Sequence, residues 1–165
     1  MKILRNHFGG RPTILIGNKV INGCQDFDIA NLDSVCDKYE VPQHYRDDVR
    51  EANKLPETHA DNMNEFLDDE DVRVLCCIAE HGNDAHRDIL VKHSDVDVLW
   101  YVAKYGNDAH RDILVKHSDI QVLRCVARYG NDAHRDILVK HSDVGVLWYV
   151  ARYGNDNHRR IIEKK

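Results

Sequence analysis

The sequence predicts a mostly α fold: an α-solenoid of four 24-residue two-helix repeats with a small N-terminal β-hairpin plus helix as its cap. Two observations carry that prediction. Leu75, Leu99, Leu123 and Leu147 fall 24 residues apart, as do Ala79, Ala103, Ala127 and Ala151, and a fixed period of this size marks units that must stack to bury an apolar face. Within each period, a capping residue, an apolar stretch at helical spacing, a glycine and a second cap follow one another, so the repeated unit reads as two helices rather than strands.

The first 40 residues differ in kind. In "RPTILIGNKVINGCQDFDIANL", Thr13–Ile16 and Lys19–Ile21 read as short strands joined by Gly17-Asn18, a two-residue hairpin signal, and a helix is expected from about Asp26 to Tyr39. Residues 41–68 read as an acidic helical linker or a degenerate capping repeat, and residues 69–165 as the four-repeat solenoid. Residues 26–71 hold 15 acidic and 4 basic side chains, whereas residues 93–165 hold 10 and 12, so the net charge of −5 is concentrated ahead of the repeats.

Taking Ser94 to His117 as one unit, Ser94 and Asp95 offer side-chain oxygens to the first turn of a helix, and Ser118 with Gln121 forms a capping-box-like pair in the next copy. That helix runs through Val96, Val98, Leu99, Val102, Ala103 and Tyr105, and Gly106 is expected to end it in the left-handed conformation. Asn107 and Asp108 cap a second helix, Ala109 to Lys116, with Ile113, Leu114 and Val115 turned inward and Asp112 set four residues before Lys116.

Comparing the copies separates fixed letters from drifting ones. The drift in the first helix falls at Arg73/Asp97/Gln121/Gly145, Cys76/Trp100/Arg124/Trp148, Cys77/Tyr101/Cys125/Tyr149 and Glu80/Lys104/Arg128/Arg152, a spacing of i, i+3, i+4, i+7 that defines one helix face. The fixed aliphatics lie opposite, so the drifting stripe is expected toward solvent or a partner, with Tyr101 and Cys125 at its buried edge. Stacking would align Trp100, Arg124 and Trp148, with Lys104, Arg128 and Arg152 beside them. Exposed aromatics next to arginine are the composition of interaction surfaces.

The chemistry of catalysis is thinly represented. His86, His110, His134 and His158, with His93, His117 and His141, recur because the repeat recurs; equivalent residues would sit a helix-packing distance of about 8–10 Å apart, too far for two to share one ion. Structural hydrogen bonds between repeats are the expected role. The five cysteines, Cys24, Cys36, Cys76, Cys77 and Cys125, are odd in number and irregular in spacing, which points to reduced thiols; Cys76-Cys77 lacks a CxxC partner. No phosphate-cradling glycine loop or HExxH string is present, and no apolar stretch reaches the length of a membrane span. A cytoplasmic, non-catalytic protein without metal or cofactor is the expectation.

The string "SDVDVLWYVAKYGNDAHRDILVKH" resembles the leucine-rich repeat variant and, more loosely, short HEAT-like repeats; the likeness covers about residues 69–165, and "HADNMNEFLDDED" from His59 parallels "HGNDAHRDILVKHSD" as a degenerate cap. That resemblance implies a right-handed solenoid of alternating helices that binds macromolecules. Here Asn-Asp stands where the family often has a proline-rich turn, and the grouped cysteines of its iron–sulfur members are missing. The N-terminal stretch resembles the C-terminal part of glutaredoxins through Pro12, Gly17, Gly23, Cys24 and Asp26, which implies a cis bond before Pro12. No counterpart of the strand and helix bearing that family's catalytic cysteine is expected before Pro12, and oxidoreductase activity is therefore not expected.

The leading functional expectation is a protein-binding module whose partner meets Trp100, Lys104, Arg124, Arg128, Trp148 and Arg152. Nucleic acid is the alternative partner, since the same cations could meet phosphates and the indoles stack bases, against which stands the negative total charge. A glutathione- or thiol-binding remnant, facing Arg11, Pro12, Gly23, Cys24 and Asp26, is a third. Near-identical faces also predict pairing between chains as a homodimer.

Overall fold

In a computed structural model of the chain, residues 1–4, 13–16, 19–21, 26–54 and 60–165 are described. They divide into two compact units, residues 1–66 and residues 67–165.

The first unit is richer in strands than a hairpin. Among the described residues, β1 (Lys2–Leu4), β2 (Thr13–Ile16), β3 (Lys19–Ile21) and β4 (Phe27–Asp28) form an antiparallel sheet in chain order, with Leu15 opposite Val20 and Val20 opposite Phe27. The expected helix begins later than Asp26: after β4 a 3₁₀ turn capped by Asp28 leads into α1 (Leu32–Lys38). Next, α2 (Gln43–Lys54), part of the segment read as an acidic linker, buries Tyr45, Val49 and Ala52 in one core with Leu15, Val20, Phe27, Leu32 and Cys36. Lys2 adds a hydrogen bond from Nζ to the Ala52 carbonyl at the end of α2, where cations complement the helix dipole. The Gly17-Asn18 turn and the Pro12 peptide bond lie outside the described residues, as does His59; of the cap expected to begin there, Ala60–Phe66 forms a 3₁₀ helix that belongs to the first unit.

The second unit is four helix pairs stacked like a solenoid: α3 (Val72–His81) with α4 (Asp84–Leu90), α5 (Val96–Tyr105) with α6 (Asp108–Leu114), α7 (Ile120–Tyr129) with α8 (Asp132–Leu138), and α9 (Val144–Tyr153) with α10 (Asp156–Glu163). The fixed aliphatics form the core: Val98, Leu99, Val102 and Ala103 of α5 and their counterparts in α3 and α7 are buried. Stacking is carried by the first helices, each packed on the next from α3 to α9.

The polar letters build the corners. Asp71, Asp95, Asp119 and Asp143 are the N-caps of the first helices, in the last three cases rather than the preceding Ser94, Ser118 and Ser142. His93, His117 and His141 accept the backbone N–H of the capping aspartates at Nδ1, each at 3.0 Å. The second helices begin at Asn83, Asn107, Asn131 and Asn155, whose side chains accept from the backbone of His86, His110, His134 and His158, while the imidazole Nδ1 atoms accept the asparagine N–H in return. A backbone N–H can only donate, so these rings carry their proton on Nε2. From there His110, His134 and His158 donate to Asp88, Asp112 and Asp136 of the preceding repeats at 3.0, 3.0 and 2.9 Å. Asn107, Asn131 and Asn155 likewise donate through Nδ2 to Asp84, Asp108 and Asp132. Arg87, Arg111 and Arg135 turn back to the last carbonyls of their own first helices, for example Arg111 Nε to Ala103 O at 2.8 Å and Nη2 to Lys104 O at 3.2 Å.

Three expectations are corrected here. Gly106 is extended (φ −72, ψ 175), not left-handed. Glycine is required by crowding instead: at the equivalent Gly130 a Cβ would lie 2.6 Å from the Val126 carbonyl oxygen and 2.9 Å from His134 Nδ1. Ile113 faces outward at 53% exposure, because His110, Leu114 and Val115 fill the inner side of that short helix. Asp112 serves His134 in the following repeat rather than Lys116 in its own.

Two predictions follow from the corners. Gly→Ala at an unstrained position usually stabilises by about 0.4–1 kcal/mol, but Gly130→Ala should destabilise by about 1 kcal/mol or more in urea unfolding, since overpacking outweighs the entropy gain. Hydrogen bonds from Asn107, Asn131 and Asn155 hold Asp84, Asp108 and Asp132 below the ordinary carboxylate range, with the neighbouring arginines assisting and burial opposing. A pKa depressed in the folded state gives stability that is complete above the unfolded value, about 3.9, and lost as pH falls through the folded one. Denaturant titrations should therefore show a loss below about pH 4, made shallower by Asn131→Ala, which frees Asp108.

Candidate functional site

The six residues expected to meet a partner lie on α5, α7 and α9, but the stack treats them unequally. In α5, Trp100 is half-buried, packed edge-on against Tyr101 at 5.2 Å, and its carbonyl accepts a hydrogen bond from Cys125 Sγ of the next repeat. Lys104 lies over both the Trp100 ring and the Tyr105 ring, at 5.2 and 4.5 Å. Its hydrogen bond with Tyr105 raises its pKa despite the opposing effect of burial.

Arg124 does not join the tryptophans. Its guanidinium runs the other way, to Asp143 Oδ1 at 3.3 Å, and lies so close over Gly145 that a methyl group there would overlap it. Drift at 145 fits drift at 124: with glycine there the Arg124 guanidinium lies where a Cβ would force that side chain to shift. Arg124 is a clamp between α7 and α9, and the aligned row of Trp100, Arg124 and Trp148 expected from the sequence is broken at its middle member.

At the end of the stack the stripe opens. Trp148 is 53% exposed, and Arg128 and Arg152 are exposed. Arg128 lies over the rings of Tyr129 and Tyr153 at 5.0 and 5.7 Å, and Arg152 over Trp148 and Tyr153 at 5.2 and 5.7 Å. Tyr153 is also stacked on Tyr149, so two guanidinium groups and four aromatic rings form one continuous surface. Among the described residues neither arginine has a carboxylate within ion-pair distance. Cation–π contact keeps each guanidinium in place without neutralising it.

The difference between Trp100 and Trp148 is one of position. Their helices, VDVLWYVAKY and VGVLWYVARY, are nearly the same, but α7 packs on α5 whereas, among the described residues, no further first helix packs on α9 beyond α7. Leu99 and Ala103 are accordingly buried, and Leu147 and Ala151 are partly exposed.

The sequence reading missed a second exposed row. Ile89, Ile113, Ile137 and Ile161 stand on the second helices at 51, 53, 49 and 37% exposure, fixed in every copy yet outside the core. The signal was available: in a seven-residue helix whose His110 and Leu114 face inward four residues apart, Ile113 falls toward the side shared with Ala109. Of the residues assigned to a glutathione-facing edge, Arg11, Pro12, Gly23 and Cys24 lie outside the described residues, and Asp26 is exposed just before β4.

Among the described residues, the repeat histidines and the four thiols of Cys36, Cys76, Cys77 and Cys125 are absorbed by the fold. Each ring described above has Nδ1 occupied by a backbone N–H, and no group of three or more metal-ligating side chains occurs among the described residues. No helix among them is long and apolar enough to cross a membrane. Burial pushes the thiols of Cys76 and Cys125 up to about 12. Because the thiolate is the reactive species, alkylation of the native protein at mildly alkaline pH should leave Cys76 and Cys125 unmodified by peptide mass mapping, and denaturant should expose both.

Compared with family models, with curated proteins and with solved structures, the chain matches none.

Proposed function

We propose that this protein is a non-catalytic interaction module that binds a protein partner through the cation–aromatic surface of its repeats. The observation that carries the reading is the pair Arg128 and Arg152: two exposed guanidinium groups held by Tyr129, Tyr153 and Trp148, without a carboxylate of their own. Ordering of a long cationic side chain usually opposes binding, and here the rings have already fixed both guanidinium groups. A partner surface bearing carboxylates would supply the missing counter-charge, and Trp148 the apolar area. Tryptophan and arginine together are the residue types that dominate interface energetics.

Trp100 and Lys104 extend the surface along the stack in a more covered form, while Arg124 is engaged with Asp143 and lies outside it. A protein ligand is favoured over nucleic acid because the indole of Trp148 already has Arg152 over it, leaving less ring for base stacking, and because the chain is acidic overall.

Affinity capture with the intact chain and with Arg128→Glu/Arg152→Glu tests the reading, followed by titration of the purified binder. Loss of the two positive charges should weaken binding roughly tenfold or more. Binding unchanged by the double reversal would move the interface elsewhere. If the captured species were an oligonucleotide, with affinity falling against log salt at a slope of about −0.9 per phosphate contact, the nucleic-acid reading would replace this one.

A further inference from the structure

We propose that the outer side of the second helices is a separate docking surface, whose occupant is an acidic segment in polyproline II conformation with an apolar residue at every third position. The inference goes beyond the cation–aromatic surface of the first helices and does not depend on it.

Ile89, Ile113, Ile137 and Ile161 recur at one position of the second helices, at 51, 53, 49 and 37% exposure, and Lys92, Lys116, Lys140 and Lys164, all exposed, follow three residues after them. Residues three apart share one side of a helix, so the stack sets an apolar row beside a cationic one. The core accounts for neither letter, since His110, Leu114 and Val115 fill the inner side. Drift in α10 singles out the same two positions. There Ala109, Asp112, Leu114 and Val115 are replaced by Asn157, Arg160, Ile162 and Glu163, while Ile161 and Lys164 keep the letters of Ile113 and Lys116.

The cationic row lacks counter-charges. Among the described residues no carboxylate lies within ion-pair distance of Lys92, Lys116, Lys140 or Lys164. Asp88, Asp112 and Asp136, one turn earlier, are bonded to His110, His134 and His158 instead, and the fourth member of their row is Arg160. A partner that brings apolar side chains to the isoleucines and carboxylates to the lysines is complementary to both rows.

The stack sets the ligand's period. Each first helix packs on the next, a step of about 8–10 Å, and the bonds from Asn131 to Asp108 and from His134 to Asp112 tie the second helices to their neighbours. A polyproline II segment returns to the same face every three residues, or about 9.3 Å. A β-strand does so every two residues, about 6.6 Å, and falls out of step; an amphipathic α-helix offers a stripe broader than a row of single isoleucines. With apolar residues on one of its three faces and acidic residues on the next, the polyproline II segment stays in register with both rows across several repeats. It is also preformed, so little ordering opposes docking.

The probe is a synthetic peptide of four Leu-Glu-Pro triplets, labelled with fluorescein and titrated with the full chain by anisotropy at low salt. It should bind saturably, with Kd below about 1 mM. Ile113→Ser/Ile137→Ser and Lys116→Glu/Lys140→Glu should each weaken binding roughly tenfold or more. All four side chains are exposed, so folding, followed by circular dichroism, should be retained. A peptide of Leu-Lys-Pro triplets, and one of Leu-Glu-Pro-Pro units whose leucines leave the common face, should each bind at least roughly tenfold more weakly. Absence of saturable binding, equal binding of either control peptide, or indifference to either double substitution would each overturn the proposal. Arg128→Glu/Arg152→Glu should leave peptide binding unchanged; its loss there would place the acidic segment on the first helices, overturning this proposal and supporting the cation–aromatic site. Vesicles containing phosphatidylserine should not sediment the chain. Sedimentation abolished by Ile113→Ser/Ile137→Ser, with no peptide bound, would assign the rows to a lipid surface instead.

Discussion

Each second helix from α4 to α8 is seven residues long, too short to persist without partners, and the array depends on what holds those helices at both ends. Asparagine and histidine close each start by bonding reciprocally, and arginine ties each helix back to the carbonyls of the one before it. The side-chain atoms left over are the links between repeats: the asparagine Nδ2 and the histidine Nε2 both donate to aspartates of the preceding unit. One string, Gly-Asn-Asp-Ala-His-Arg-Asp, therefore specifies the corner and the translation to the next corner at once. Nearly every polar atom in it has an assigned partner, which explains why the copies tolerate so little change there.

Buried polar groups are costly unless satisfied, and the imidazoles of His86, His110, His134 and His158 are almost wholly buried. They are an efficient choice because in His110, His134 and His158 both ring nitrogens act, one accepting and one donating, across a distance that a shorter side chain would not span. The first helices follow a different rule. Along the stack, Cys77, Tyr101, Cys125 and Tyr149 alternate small and large, and Cys125 sits close enough to bond the Trp100 carbonyl. Alternation of size lets neighbouring helices interdigitate. Much of the drift is thus packing between repeats, paired two by two, as Arg124 and Gly145 also show.

The helix pairs were legible because capping, period and apolar spacing agree at every level, and local consistency of that kind is what a repeat offers many times over. What could not be read was orientation. A drifting stripe at i, i+3, i+4, i+7 locates a face but not whether the next repeat covers it, so Arg124 looked free and is engaged, and Trp100 looked as open as Trp148. Ile113 was assigned inward because it is aliphatic and fixed, although a helix this short has room on its inner side only for His110, Leu114 and the following Val115. Gly106 was read through its commonest use, whereas the crowding of a carbonyl and an imidazole about it depends on atoms eight positions apart in sequence. In the N-terminal unit, β1 and β4 span three and two residues, below the length at which alternation can be recognised.

In a stack of copies, then, a letter does not determine its surroundings. α5 and α9 are nearly the same helix, yet one carries its neighbour and the other presents the identical stripe to solvent. The copies differ in α10, where Arg160 and Glu163 replace the aspartate and valine of the earlier second helices, whereas α9 carries Val144, Leu147 and Trp148 as α5 carries Val96, Leu99 and Trp100. Position in the array, more than drift among the copies, therefore decides which face of a first helix is covered and which is exposed.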